Sequence, residues 1–122
     1  MLALSLRLGL RPGEASGLYW EDVGTAAVNV TRGTVRHSGV TVVSDSLKTS
    51  AAKRTIEQPP DLVTWFADHR RAQATERLAA PAWGDERLVV TGRTGNVISA
   101  STIRKQLADV CERAKVPAIR PN

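Results

Sequence analysis

Arg11 and Glu14 stand three residues apart in the stretch Gly9-Leu10-Arg11-Pro12-Gly13-Glu14-Ala15-Ser16-Gly17-Leu18. Gly9 ends one short helix and Pro12 lies in the first turn of the next, which puts Arg11 at a helix–helix corner. An arginine at such a corner, flanked by apolar residues, is partly buried and needs an anionic partner. Two partners are open to it. Glu14, one turn on, can close the corner as a structural ion pair. Alternatively Glu14 orients the guanidinium, which then grips two oxygens of a phosphate at once. A second group of cations follows. Arg32, Arg36, Lys48, Lys53 and Arg54 fall in a β-rich stretch. Arg104 and Lys105 open the last helix, behind Ser99, Ser101 and Thr102. A basic β-rich stretch can follow phosphates, and a helix start at Ser99, Ser101 or Thr102 can accept a phosphate. The alternative for Lys48 is a loop lysine solvated like any other. Arg70, Arg71 and Arg77 read as a solvated helix face.

Other chemistries find little support. Cys111 is the only cysteine, so neither a disulfide framework nor a paired-cysteine metal site is expected. It lies on an apolar stripe and reads as a buried structural thiol. His37 and His69 fall in different predicted elements, which argues against a zinc cluster. Tyr19, the only tyrosine, sits beside Trp20 and reads as an amphipathic boundary residue. No Ser-His-Asp grouping, phosphate-binding glycine loop or GxGxxG is legible.

The whole composition agrees with a basic partner-binding domain. The chain has 122 residues, and Lys+Arg 17 against Asp+Glu 12 gives a net charge of +5. The isoelectric point is about 10.1. Nucleic acid is the first partner for such a balance, with a basic solvated surface as the alternative. Apolar residues at 42% and charged residues at 24% are ordinary globular usage, but a core this small is marginal. Aromatics at 4%, not interleaved with the cations, give no stacking platform for single strands. No apolar run is long enough to span a membrane. The apolar start, Met1 to Leu10, has no preceding cationic segment, is interrupted by Arg7 and lacks a cleavage site, so it reads as a helix of a cytoplasmic protein.

The elements that must carry these residues follow from propensity and punctuation. Leucines alternate over residues 2–10, a strand period, but Leu, Ala, Arg and Met without β-branching favour helix over 2–9. A second short helix covers 12–18, and Tyr19 to Val23 leads out of it. Valines and threonines predict three antiparallel strands near 26–36, 40–47 and 53–58, with breaks at Ser38-Gly39 and Thr49 to Ala52. Gly33 is expected to mark a bulge. Pro59-Pro60-Asp61 opens a helix over 60–79, with Leu62, Val63, Phe66 and Leu78 on its apolar face and Trp65 flanking it. Residues 80–98 read as loop around Leu88-Val89-Val90. Ser99 or Ser101 caps a last helix to about 115, with Ile103, Leu107, Val110, Cys111 and Ala114 on one stripe. Pro117 closes it.

With these elements placed, the ordered set of motifs resembles the tyrosine recombinases, the phage-integrase family. GLRPGEASGL-Y-WEDV is similar to the family's first catalytic box, G-L-R-x-x-E-x-x-x-L followed by W-x-D-[VI]. Leu47-Lys48-Thr49-Ser50-Ala51-Ala52-Lys53-Arg54-Thr55-Ile56 resembles its P-K-T-x-x-S-x-R-x-[VI] segment. Pro59-Pro60-Asp61-Leu62 matches P-P-x-L before a long helix, and Leu88-Val89-Val90 through Gly95, Val97 and Ile98 matches [LV]-V-x-x-x-x-G-x-x-[IV]. The resemblance runs from residue 2 to residue 122.

The resemblance implies an α+β fold, mainly helical, in which a small three-stranded antiparallel sheet packs with helices. It implies that Arg11 is the first of two catalytic arginines on the scissile phosphate, that Glu14 positions it, and that Lys48 is the hairpin lysine that protonates the leaving 5′ oxygen. Arg32, Arg36, Lys53, Arg54, Ser101, Arg104 and Lys105 are the expected contacts to double-stranded DNA. No metal or other cofactor is expected, no membrane is involved, and the parent family assembles as a multimer on DNA. Residues 1–122 correspond to part of an integrase-type catalytic domain, truncated before its C-terminal half. Asn122 stands where the second box, H-x-L-R, begins, and the second arginine and the nucleophilic tyrosine lie beyond it. The expected function is therefore that of a site-specific recombinase fragment, inactive alone. Two alternatives remain: a DNA-binding relic without catalysis, and an interaction protein completed by a partner chain.

Overall fold

Glycine and proline punctuate the chain and fix most element boundaries. The computed structural model describes residues 2–45, 47 and 52–117. Helix α1 (Leu2–Leu8) stops at Gly9, whose φ of +64° is the left-handed conformation that ends helices. Helix α2 (Pro12–Ser16) starts on Pro12, whose fixed φ suits a first turn. A 3₁₀ turn, Trp20–Asp22, follows. Strands β1 (Ala27–Val30), β2 (Gly33–His37), β3 (Val40–Ser44) and β4 (Arg54–Glu57) come next. Helix α3 (Pro60–Ala79) and helix α4 (Ala100–Arg113) complete the described elements. Ser99 caps α4, its Oγ accepting the Thr102 N–H at 3.2 Å.

The class is α+β, but the expected three-stranded sheet gives way to two antiparallel pairs. β1 pairs with β4, in register Val30↔Arg54 and Ala27↔Glu57. β2 pairs with β3, Gly33↔Ser44 to His37↔Val40, around the Ser38-Gly39 turn with φ of 51° and 79°. Positive φ at both turn residues is what a two-residue hairpin requires. The strand expected over 26–36 breaks at Thr31-Arg32 for a tertiary reason. Arg32 turns to Asp22, Glu21 and Asp45. Gly33 opens β2 against the end of α2 rather than forming a bulge inside one strand.

The core gathers residues from α1, α2, α3, α4 and β1 and from the connecting segments. Leu4, Leu8, Leu10, Ala15, Leu18, Val28, Val30, Leu62, Phe66, Val89, Val90 and Ile103 pack as one buried cluster. The connecting segment 80–98 is therefore far from passive. Leu88 bridges Tyr19, and Leu88, Val89 and Val90 are all buried. On α3, Leu62 and Phe66 face the core as expected. Val63 at 37% and Leu78 at 87% are exposed, contrary to expectation. A polar residue, Gln73, is buried instead. It accepts from Trp20 Nε1 at 2.8 Å and donates to the Leu88 and Val89 carbonyls. On α4, Ile103, Leu107 and Cys111 are buried, while Val110 and Ala114 face outward. Among the described residues no helix is long and apolar enough to cross a membrane.

Candidate functional site

Arg11 is held by its backbone. It precedes α2 in extended conformation, with φ −65° and ψ 151°. Its N–H donates to Glu14 Oε2 at 2.9 Å and its carbonyl accepts the Ala15 N–H at 2.9 Å. The side chain is exposed and lines a cleft of about 560 Å³. Four parts of the chain build that cleft. Arg11, Pro12, Gly13 and Glu14 come from the start of α2. Gly33, Thr34 and Val35 come from β2, Leu47 and Ala52 from the ends of the β3–β4 connection, and Ala100 and Arg104 from α4. Polar pins hold α2 on β2: Ser16 Oγ and Thr34 Oγ1 are 2.7 Å apart, and both hydroxyls reach the Gly13 carbonyl.

A smaller recess of about 200 Å³ adjoins the cleft. Thr34, Val35, Arg36, Thr41, Ser99, Ala100, Ser101 and Arg104 line it. Arg104 borders both spaces, so Arg11, Arg104 and Arg36 mark one continuous basic concavity. Alternation explains Arg36: Thr34 and Arg36 share one face of the hairpin with Thr41, while Val35, Val40 and Val42 lie on the other. Helix spacing explains Ser101 and Arg104, which stand three apart on α4.

The other sequence-predicted residues divide into three groups. Lys48 lies outside the described residues, although its flanks, Leu47 and Ala52, are on the cleft wall. Lys53 and Lys105 are exposed but line neither space. Arg32 and Arg54, expected at DNA, are engaged by carboxylates. Arg32 pairs with Asp22, with Glu21 at 3.1 Å and with Asp45 at 3.1 Å, and it lies 4.2 Å over the Tyr19 ring. Arg54 forks onto Glu14, Nη1 to Oε1 at 2.9 Å and Nη2 to Oε2 at 3.0 Å.

Glu14 pairs with a different arginine from the one beside it in sequence. Its carboxylate takes the Arg54 guanidinium and the Arg11 backbone amide. Its hydrogen bond to Arg11 is to the main chain, and the ion pair it forms is with Arg54. Burial alone would raise the Glu14 carboxyl. The fork from Arg54, the Arg11 amide and the charges of both arginines outweigh it and hold the group below its ordinary range. The same fork pushes Arg54 up.

Tyr19 is buried at 8%, with Arg32 on one side at 4.2 Å and Arg87 at 4.6 Å from the ring. That double cation–π contact makes it a packing residue. Sequence reasoning missed Thr34 and Thr41 as walls of the concavity and Asp22 as the buried partner of Arg32. Asp22 carried a signal, since an acid in Trp20-Glu21-Asp22 beside an apolar core needs a cation. Among the described residues no three His, Cys, Asp or Glu side chains are grouped as metal ligands.

What such a concavity can do chemically is bind oxyanions. Among the described residues no carboxylate makes an ion-pair contact with the guanidinium of Arg11, Arg36 or Arg104, and each can present two parallel N–H donors to a phosphate.

No protein-family model matches the chain. A tyrosine recombinase XerC-like protein of Caldanaerobacter subterraneus subsp. tengcongensis is 28% identical over 132 residues, which is 96% of this chain and 34% of that protein. The chain thus spans about a third of the length of that curated relative. Among solved structures, the Tn1549 transposon integrase in complex with transposon right end DNA superposes with a TM-score of 0.70. It is 18% identical and covers 93% of this chain and 36% of its own. XerA recombinase superposes with a TM-score of 0.62 at 18% identity, over 93% of this chain and 35% of its own. The chain is thus similar in sequence to a stretch of a tyrosine recombinase and shares the fold of the matching parts of the Tn1549 integrase and XerA recombinase.

Proposed function

We propose that the basic concavity binds the phosphate backbone of double-stranded DNA, within a site-specific recombinase that cleaves and rejoins strands through a phosphotyrosine. Arg11 takes the non-bridging oxygens of the scissile phosphate. It thereby stabilises the charge that accumulates in the pentacoordinate transition state. Lys48, on the connection whose ends line the same cleft, delivers a proton to the leaving 5′ oxygen as general acid. Arg104 and Arg36 hold neighbouring phosphates, with Ser101 beside them. The observation that carries this reading is the meeting of Arg11 and Arg104, 93 positions apart in number, on one open cleft bounded by Leu47 and Ala52. The Tn1549 integrase, of like fold, is seen in complex with DNA. The whole protein is proposed to work as a multimer on DNA.

These 122 residues are proposed to bind DNA without cleaving it. Their one tyrosine, Tyr19, is buried between two guanidinium groups and is not available as a nucleophile. Without the nucleophile the covalent route is closed, and loss of a single electrostatic donor alone commonly costs about 10²–10³ in rate. A nicked suicide duplex tests both halves of the reading. The chain should shift the duplex in a salt-dependent way and leave no covalent adduct after denaturation. An adduct would contradict the second half, and no shift at low salt would contradict the first.

A further inference from the structure

Arg54 opens β4, directly after the connection that carries Lys48. Its guanidinium is not on the cleft wall itself but bonds two residues that are, Glu14 and Ala52. Both terminal nitrogens reach the Glu14 carboxylate, at 2.9 and 3.0 Å, and Nη1 also donates to the Ala52 carbonyl at 3.2 Å. Glu14 in turn accepts the Arg11 N–H at 2.9 Å. One side chain is thus bonded to the residue that ends the Lys48 connection and, through one carboxylate, to the backbone of Arg11.

Elementary energetics make this tie matter. Helix α2 has only five residues, too few to hold its own first turn. β4 belongs to a two-stranded sheet, and Arg54 is its end residue, opposite Val30. The fork therefore joins two otherwise weak pieces of backbone. Glu14 is 5% exposed, and a buried carboxylate demands a charged, hydrogen-bonded partner. A planar fork meets both of its oxygens through two separate nitrogens and leaves a donor for a carbonyl. A lysine ammonium brings the same charge without that geometry.

Resting on the function proposed above, we infer that Arg54 is a positioning residue. It holds the backbone of Arg11 and Ala52 at one fixed separation, so that Arg11 is set to reach the phosphate. Its charge is committed to Glu14 and it is not itself a DNA contact.

The test uses the 122-residue chain and a labelled duplex of about 20 base pairs in fluorescence anisotropy, a length that covers the phosphate contacts of a small domain. The variants are Arg11→Ala, Arg54→Lys and the double substitution, each checked for folding by circular dichroism at the assay temperature. Arg54→Lys keeps the net charge. It should nevertheless weaken binding about tenfold, and adding Arg11→Ala to it should cost less than about twofold more, the coupling expected of residues in one network. Two results would overturn the inference alone: Arg54→Lys binding like wild type, or Arg11→Ala exacting its full loss in the Arg54→Lys background. If Arg11→Ala had no effect in the wild-type background, the proposed function would fall first, and this inference with it. Should Arg54→Lys not fold, Glu14→Gln, which keeps the shape and one acceptor oxygen, is combined with Arg11→Ala and read by the same criteria.

Discussion

Gly17 and Gly33 stand back to back. A Cβ on Gly17 would lie 2.9 Å from the Gly33 Cα and carbonyl carbon, closer than real Cβ contacts come. This approach brings the end of α2 onto the start of β2 and so closes one wall of the basic concavity. Gly17→Ala should push the two backbones apart and destabilise the fold by about 1–3 kcal/mol, the usual cost of overpacking. Urea unfolding would measure it. Gly39→Ala, at an open turn position where nothing approaches but φ is +79°, should cost less, about 1 kcal/mol, from backbone strain alone.

Stability should fall in acid through Glu14. Its folded-state pKa lies below the ordinary value because Arg54 and the Arg11 amide outweigh burial. A depressed carboxyl contributes stability that is fully present above its unfolded pKa, about 4.3, and is lost as pH falls through the folded value. Denaturant midpoints from pH 7 down to pH 3 should therefore decline. Glu14→Gln should lower stability at pH 7 and flatten that decline. An equal acid slope in both proteins would remove Glu14 from the account.

Arg32 offers a contrast between holding the fold and holding DNA. Its partners include Asp22, a buried carboxylate that also accepts the Tyr19 N–H at 3.4 Å. Arg32→Ala strands that charge and should destabilise by about 2–4 kcal/mol. Measured at a temperature where the variant is folded, its DNA affinity should stay within about twofold of wild type, because the charge removed was already compensated. A large drop in affinity with little change in stability would restore Arg32 to the DNA-binding set.

Arg104 and Arg36 should behave in the opposite way. Each is exposed on the concavity, so replacement by alanine should leave the unfolding midpoint nearly unchanged. Affinity for duplex DNA should fall, and the slope of log K against log salt should shrink by about 1 for each phosphate that the variant no longer neutralises. Lys105→Ala, off the recess walls, should change the slope by less.

Much of this arrangement is legible locally, and what escapes the sequence is tertiary. Gly9 as a helix stop, Pro12 as a helix start and Ser38-Gly39 as a turn are nearest-neighbour chemistry, and each stands where the sequence puts it; of the two caps the sequence offers, Ser99 is the one used. The first box, too, marks Arg11 as a corner arginine, but its side chain is exposed rather than partly buried, because Glu14 bonds its main chain and not its guanidinium. The sheet is not legible in the same way, because the interruption at Thr31-Arg32 depends on acids at 21, 22 and 45 and on a glycine approach 16 residues back. Hydrophobicity alone would place Val63, Leu78 and Val110 inside, yet α3 uses Gln73 to satisfy the carbonyls of Leu88 and Val89 and turns Leu78 out. The partner of Glu14 is hidden by distance along the chain. Arg11 is the nearer cation, and Arg54, 40 positions away, has the geometry to reach both oxygens.

The central claim is that Arg11 opens onto a phosphate site. The most direct measurement is the salt dependence of duplex binding by Arg11→Ala beside Arg71→Ala, an exposed α3 arginine whose guanidinium meets Asp68 at 3.3 Å and which carries the same charge change. Arg11→Ala should weaken binding about tenfold or more and reduce the salt slope by about 1, while Arg71→Ala stays close to wild type. Equal behaviour of the two variants would contradict the account, because Arg11 would then be one surface cation among many.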